Sequence, residues 1–131
     1  MIHVVRKLLV DNNGFQQRVD ADNTFLVMAR QGAERPYVAI DLEGTLVDRH
    51  TEGIAREVYN IIVYITSTKI SEGWNIHQSV KQVLDQYSGT VTIDGVDYII
   101  DWITLEDVMT DAHELHDFYI VVMSFNVHVC V

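Results

Sequence analysis

Cysteine and proline are almost absent from the 131 residues, since each occurs once, as Cys130 and Pro36. A single cysteine excludes a framework of internal disulfides, and a reducing, intracellular origin is the simplest expectation. Charged residues interrupt the first ten residues, so we expect no signal peptide. No apolar run approaches the ~20 residues that a helix needs to cross a bilayer. The glycines are too scattered to form a phosphate-binding loop.

Basic residues are also scarce. Nine Lys and Arg stand against nineteen Asp and Glu, which gives a formal net charge of −10. This balance argues against a surface that grips nucleic acid, because such surfaces are built from clustered Lys and Arg. It does not prevent DNA from passing through a channel that repels it. The apolar share of 48% is ordinary for a globular protein, and the length predicts one domain over residues 1–131.

Periodicity predicts two helices and several strands. The predicted helices are Ile2–Asp11, which stops at Asn12-Asn13-Gly14, and Ser71–Tyr87, which starts at a Ser71 N-cap, ends at Gly89 and buries Trp74, Val80 and Leu84. The predicted strands are Thr24–Met28, Tyr37–Glu43, Ala55–Thr66, Thr90–Ile93, Val96–Leu105 and a long last strand from Phe118. Gly44–Gly53 and Glu106–Asp117 are predicted loops. Because strands cluster instead of alternating with helices, we expect an α+β fold: a mainly antiparallel sheet, a short N-terminal helix and one longer helix packed on the sheet.

One short stretch suggests an enzyme. Asp41-Leu42-Glu43-Gly44-Thr45 resembles the nucleophile loop of haloacid-dehalogenase-type phosphatases, with Asp41 as nucleophile and Glu43 as acid/base. That family usually has Asp where this chain has Glu43, and it needs a parallel α/β scaffold that supplies a downstream lysine. Lys69 and Lys81 are available, but the alternation of strands and helices is missing. We therefore expect Asp41 and Glu43 to be solvent-facing strand residues.

A second group of residues suggests a metal site. The segment from Asp111 to Asp117 contains potential ligands, namely Asp111, His113, Glu114, His116 and Asp117. Their order does not match a known zinc motif and no third fixed ligand can be named, so we expect a solvated loop and no metal or cofactor. His128 and Cys130 lack the orienting third group of a nucleophile pair, and we expect Cys130 to be a small buried or interface residue.

The whole layout is similar to that of tail-completion (tail terminator) proteins of long-tailed bacteriophages. The matching features are the N-terminal helix, the loop ending Ala33-Glu34-Arg35-Pro36-Tyr37-Val38, the strand Val58–Thr66, the helix ending Val83-Leu84-Asp85, the Gly89–Val96 hairpin, Leu105-Glu106 and the strand Phe118–Val129. The resemblance implies a homohexameric ring that caps the tail tube, ends its polymerisation and joins the tail to the head connector. It implies no catalytic residues.

The same resemblance implies a virion protein at the tail–head junction, assembled in the host cytoplasm. Its partners would be copies of itself, the tail tube protein and the head connector or stopper protein, with DNA only passing through the lumen and no membrane contact. By position alone, the loops Gly44–Gly53 and Asp107–Asp117 are expected to carry the partner contacts. The candidate residues are Asp48, Arg49, His50, Glu52, Asp111, His113, Glu114 and His116. The alternatives are the phosphatase and a small monomeric phage-encoded binding or inhibitor module.

Overall fold

A computed structural model describes residues 1–49, 55–113 and 118–130. The helices are α1 (Ile2–Val10), α2 (Asn13–Gln16) and α3 (Ile70–Leu84), with a 3₁₀ turn at Ala21–Asn23. The strands are β1 (Thr24–Leu26), β2 (Tyr37–Arg49), β3 (Ala55–Ser67), β4 (Gly89–Ile93), β5 (Val96–His113) and β6 (Phe118–Cys130).

All six strands form one sheet in the order β1-β2-β3-β6-β5-β4. Each neighbouring pair is antiparallel except β1 and β2, which are parallel. The predicted α+β class with a mainly antiparallel sheet is therefore confirmed. Strand β3 lies inside the sheet, between β2 and β6.

The helices pack on one side of the sheet, which we call the covered face. Strand β6 shows how the sequence produces it, because its residues alternate between the two sides. On the covered face the odd-numbered residues from Val121 to Val127 are almost completely buried. They join residues of β2, β3, β5 and the helices in a single core whose largest buried side chains include Phe15, Phe125, Leu9, Ile40, Ile61 and Leu84. The other side of the sheet, which we call the open face, carries the alternate residues of each strand, such as the even-numbered residues of β6.

Helix α3 lies close to the sheet because Gly73 faces it. A Cβ built on Gly73 would lie 2.6 Å from the Ser67 Oγ and 2.8 Å from the Tyr119 Cδ1. Ile76, Val80 and Leu84 continue the same buried stripe. The prediction that Trp74 would be buried is wrong: its exposed fraction is 46%.

The first helix ends within one residue of its predicted end, because α1 stops at Val10 and Asn12 is already extended. Asn12 also caps α2, where its side chain accepts a hydrogen bond from the Phe15 N–H at 3.0 Å. The two ends of α3 differ from the predicted ones. Helix α3 begins one residue before Ser71, and Lys69 occupies the N-cap position. The helix also ends before Gly89, because Asp85 is already extended and Gln86 adopts a left-handed φ of 67°.

Two predicted loops are largely strand. Strand β2 continues through residues 44–49 and β5 through residues 106–113, where they pair with β3 and β6. Each extension follows an irregularity in the pairing, at Glu43 in β2 and at Glu106 in β5. In these extensions residues 44–47 are exposed, as are residues 106–111 except Val108. Their exposure explains why their polar composition resembles that of a loop.

Candidate interaction surface

The open face lies on the side of the sheet opposite the helices. Residues at equivalent positions of its four long strands line up by register: Asp41, Ile62, Ser124 and Asp107 form one row. Large apolar side chains on this face reach solvent, since Tyr64, Trp102, Met109 and Leu46 are each more than a third exposed. A sheet face that combines exposed aromatic, aliphatic and acidic side chains is suited to contact with another protein surface.

A hollow of about 390 Å³ lies in the middle of the open face. Three carboxylates border it, from Asp41, Glu43 and Asp107, and its lining continues over Ile62, Tyr64, Met109, Val122 and Ser124. Two of the carboxylates accept hydrogen bonds from the next backbone N–H, from Leu42 to Asp41 at 2.8 Å and from Val108 to Asp107 at 2.9 Å. The hollow is therefore acidic, and it repels polyanions such as DNA.

The arrangement around Asp41 is not that of the phosphatases. Asp41 lies within an antiparallel pairing of β2 with β3, not at the carboxyl end of a buried parallel strand. Thr45 is part of the same strand instead of supporting a turn. Lys69 and Lys81 belong to the cap and body of α3, which packs on the covered face, whereas Asp41 borders the hollow of the open face. The sheet separates the groups that the phosphatase reaction would need together.

An aromatic pair lies near one end of the open face. The rings of Trp102 and His128 have centroids 4.5 Å apart and are tilted by 39°. The two residues are register partners on β5 and β6. Because Trp102 remains 41% exposed, it offers a large apolar contact area beside a polar ring.

Tyr59 and Glu57 form a polar pair on the opposite side of β3. The Tyr59 hydroxyl donates a hydrogen bond to the Glu57 carboxylate. This hydrogen bond, with burial and the negative charge of Glu57, raises the pKa of Tyr59 to about 12. The phenol therefore stays neutral at physiological pH and holds the carboxylate in place.

The predicted contact residues fall into two groups at opposite ends of the sheet. Asp48 and Arg49 end β2, and the rest of that group, His50 and Glu52, lies outside the described residues. Asp111 and His113 end β5, while Glu114 and His116 again lie outside the described residues. The register sets Arg56 of β3 beside Cys130 and Ser67 beside Tyr119. The β2–β3 and β5–β6 turns are thus about 11 residues of strand apart, roughly 36 Å.

Of the potential metal ligands between Asp111 and Asp117, which were expected to form a solvated loop, Asp111 and His113 lie in β5, and Glu114, His116 and Asp117 lie outside the described residues. Among residues 1–49, 55–113 and 118–130, no group of three potential ligands comes together. The side chain of Cys130, predicted to be buried or at an interface, is outside the described part. In the same described ranges, no helix is both long and apolar enough to cross a membrane.

The feature that sequence reasoning missed is a pair of free strand edges. Strand β1 covers the outer edge of β2 only at Val38–Ile40, so no described strand pairs with that edge from Leu42 to Arg49. Strand β4 covers the outer edge of β5 only up to Ile100. The segment after α3 covers it a little further, through hydrogen bonds to Ile103 and Leu105. From Glu106 onward, no strand in the described ranges pairs with this edge of β5.

A signal for these edges existed in the sequence. Leu46-Val47 and Val108-Met109 are apolar pairs inside segments interpreted as polar loops. Leu46 is 67% exposed and Met109 is 63% exposed. Exposed strand edges that carry apolar side chains are templates for pairing with a further strand. The free edges and the open face together make up the candidate interaction surface.

Comparisons with known proteins support this description of the fold. Neither models of protein families nor curated protein sequences match the chain. The structure is similar to a chain in a solved structure of the "Virion of native gene transfer agent (GTA) particle", with a TM-score of 0.76 and 11% sequence identity. The likeness covers 100% of this chain and 95% of that chain. Along its whole length, the protein therefore shares the fold of a chain that is found in a virion particle.

Proposed function

We propose that the protein is a structural component of a phage-like virion, and that it completes the tail. In this role a ring of copies, six in number, caps the tail tube, stops its polymerisation and joins it to the head connector. The observation that carries the proposal is the full-length likeness in fold to a chain of a virion particle, at a TM-score of 0.76.

Three features of the structure support a ring between two partners. The two long hairpins turn at opposite ends of the sheet, so each side of a ring can present a different turn. The free edges of β2 and β5 offer sites for joining copies. The net charge of −10 and the carboxylates of the open face suit a channel that DNA crosses without binding.

The first test is the native mass of the purified protein, measured by light scattering over a wide concentration range. We expect a closed homo-oligomer near six subunits, or a monomer that becomes one when the tail tube protein of the same virus is added. A strict monomer that ignores tube protein would overturn the proposal. That result would favour the small binding module, to which the exposed apolar residues of the open face would then belong.

The second test addresses the capping activity directly. Tail tube protein is allowed to polymerise with and without this chain, and tube lengths are compared by negative-stain electron microscopy. We expect shorter tubes that carry one ring at one end. An Asp41→Asn variant serves as a control, because it removes the candidate phosphatase nucleophile and should cap tubes as the wild type does. Loss of a Mg²⁺-dependent phosphatase activity in that variant would instead support the enzyme interpretation.

A further inference from the structure

We propose that copies of this chain join by pairing the free edge of β2 in one copy with the free edge of β5 in the next. The proposal rests on the ring of the proposed function and assigns its interface. The two strands would run antiparallel and make one continuous sheet through all copies. The contact is heterologous, because each copy offers β2 on one side and β5 on the other, and such contacts generate rings when the rotation closes.

The two edges are complementary in direction, and a stagger along the strands brings their free halves together. The sheet order β2-β3-β6-β5 is antiparallel at each step, so β2 and β5 of one copy run in opposite directions. A copy placed beside another in the same orientation therefore brings β5 antiparallel to β2. The free part of β2 lies toward its own β2–β3 turn, and the free part of β5 lies toward the β5–β6 turn. Pairing the free halves keeps β1 and β4 out of the contact.

Side chains select one register. Leu46 belongs to the open face, so its partner in a continuous sheet must also be an open-face residue. In the free part of β5 these residues are Asp107, Met109 and Asp111. Of these, Met109 alone is apolar, and like Leu46 it is more than 60% exposed. The same register sets Val47 opposite Val108 on the covered face and Thr45 opposite Thr110. Such apolar and Thr–Thr cross-strand pairs are favourable.

The apolar pairing also disfavours the two neighbouring registers. A shift of two residues in either direction would place Leu46 against a carboxylate instead.

Barrel geometry agrees with the same register. Within one chain, Asp107 aligns with Asp41 through Ser124 and Ile62. Between copies it would align with Asp48, which is six paired positions further along β2 because Glu43 is extra. Six positions of ~3.3 Å over four strands of ~4.8 Å correspond to a strand tilt of roughly 45°, at the upper end of the range of closed barrels. A shift of two further positions would need roughly 54°, outside that range, whereas a shift of two positions the other way would need roughly 35°, at its lower end. The apolar pairing of Leu46 with Met109 therefore decides between the two remaining registers.

The test is a pair of cysteines across the proposed contact. Cys130→Ser provides the background, and Leu46→Cys and Met109→Cys are introduced together in one chain. Directly opposed residues of antiparallel strands have Cα atoms about 4.5–5.5 Å apart, which a disulfide can bridge. We expect mild oxidation to produce a ladder of multimers that ends at the ring. A mixture of the two single variants should give dimers only, and each single variant alone should give monomers.

Two variants control the register and the faces. Leu46→Cys with Thr110→Cys should not crosslink, because position 110 belongs to the covered face. Leu46→Cys with Asp107→Cys should crosslink more slowly than the proposed pair, and faster crosslinking would overturn the register. Dimers from Leu46→Cys alone would show β2 pairing with β2, which would overturn the head-to-tail arrangement.

A separate variant blocks the edge without cysteines. Leu46→Lys should abolish the ring, because a charged side chain on an edge strand opposes pairing. Ile70→Lys is the matched control, since Ile70 is 63% exposed at the start of α3, away from either edge. It should leave the native mass unchanged, and circular dichroism should show that both variants are folded.

The outcomes separate this inference from the proposed function. A wild-type ring whose Leu46–Met109 cysteines fail to crosslink overturns the strand pairing and leaves the tail-completion role standing. A crosslinked ring that has no effect on tube length supports the pairing and contradicts the role. A wild type that stays monomeric with tube protein, and whose paired cysteines stay reduced, overturns both.

Discussion

Gly73 shows how one residue determines the distance between a helix and a sheet. Its missing side chain leaves room for the Ser67 hydroxyl, which donates to the Lys69 carbonyl at 2.9 Å, and for the Tyr119 ring. Any larger residue must push α3 away from β3 and β6, because protein interiors are close-packed.

Gly73→Ala should lower the free energy of unfolding by up to about 2 kcal/mol. Overpacking costs about 1–3 kcal/mol, and the better helix propensity of Ala recovers only about 1 kcal/mol. Gly44→Ala is the matched control, because a Cβ there meets nothing within 4 Å, and we expect a change within about 0.5 kcal/mol. Urea unfolding of both variants gives the comparison. Equal stabilities would contradict the close approach of α3.

His77 links folding to pH. Only 5% of the residue is exposed, and burial, followed by the positive charge of Lys81, lowers its pKa, while a hydrogen bond to the backbone of Trp74 acts in the opposite sense. The unfolded chain therefore binds more protons than the folded chain between the lowered pKa and the ordinary value of 6.5. Stability that is fully present above this ordinary value is lost as the pH falls through this window.

His77→Gln should remove this contribution. Measured by urea unfolding at a series of pH values from about 7.5 to about 5, the wild type should lose more stability than the variant as the pH falls. The difference between the two proteins is the relevant quantity, since other groups titrate in both. Parallel curves would show that His77 has the same pKa in the folded and unfolded states.

Among the elements, the short helix α2 depends on its cap. Asn12→Ala removes the acceptor for the Phe15 N–H and should lower the free energy of unfolding by about 1 kcal/mol. Phe15 is fully buried, so fraying of this turn would also disturb the core. Asn13→Ala provides the control, because Asn13 is an exposed residue of the same turn and its replacement should be nearly neutral. Thermal unfolding of the two variants distinguishes a cap from a general helix effect.

Much of the fold could be predicted from periodicity, and the reasons are visible in particular elements. In β6 every second residue is apolar and faces the core under the helices. Its place along the chain and its buried face could therefore be predicted from the sequence. Asp94-Gly95, between the predicted strands Thr90–Ile93 and Val96–Leu105, is a typical two-residue turn pair, and in the structure both residues adopt the positive φ that such a hairpin needs.

The rest could not be predicted because it depends on neighbours distant in sequence. Residues 44–49 and 106–113 are strand only because β3 and β6 pair with them, and their exposed, polar composition is that of a loop. Trp74 fits the predicted apolar stripe of the helix. The sheet packs instead against the neighbouring side of α3, which carries Gly73 and Ile76, and Trp74 is left exposed. The free edges appear only when the strand order and the lengths of β1 and β4 are known.

At the scale of the whole molecule, charge should oppose assembly. Every copy carries a formal charge of −10, so copies repel one another, and the proposed contact includes the carboxylate of Asp107. Salt screens such repulsion, with a Debye length of about 10 Å at 0.1 M and about 3 Å at 1 M. We therefore expect the ring to form at lower protein concentration as the salt concentration rises, measured by light scattering. Asp107→Asn should weaken this dependence, and a ring that dissociates in salt would contradict assembly through apolar edges.

The size of the ring gives another check. Six copies contribute 24 long strands, and at ~4.8 Å spacing and roughly 45° tilt they make a circumference of about 160 Å and a diameter of about 50 Å. After side chains are allowed for, the opening still exceeds the width of a DNA duplex. Three copies would halve the diameter and leave no such channel. Class averages from electron microscopy should therefore show a central opening, and a closed disc would contradict the continuous sheet.

The two long hairpins, β2–β3 and β5–β6, reverse at opposite ends of the sheet, and this has a consequence for how such a protein can change. The β2–β3 and β5–β6 turns share the central strands β3 and β6 but lie at opposite ends of them. If the residues of one turn are exchanged for those of a related protein, the strand pairing and the other turn do not change. In the proposed role, each end of the chain can therefore change to fit its own neighbour without altering the other end, as in an adaptor with two exchangeable connectors.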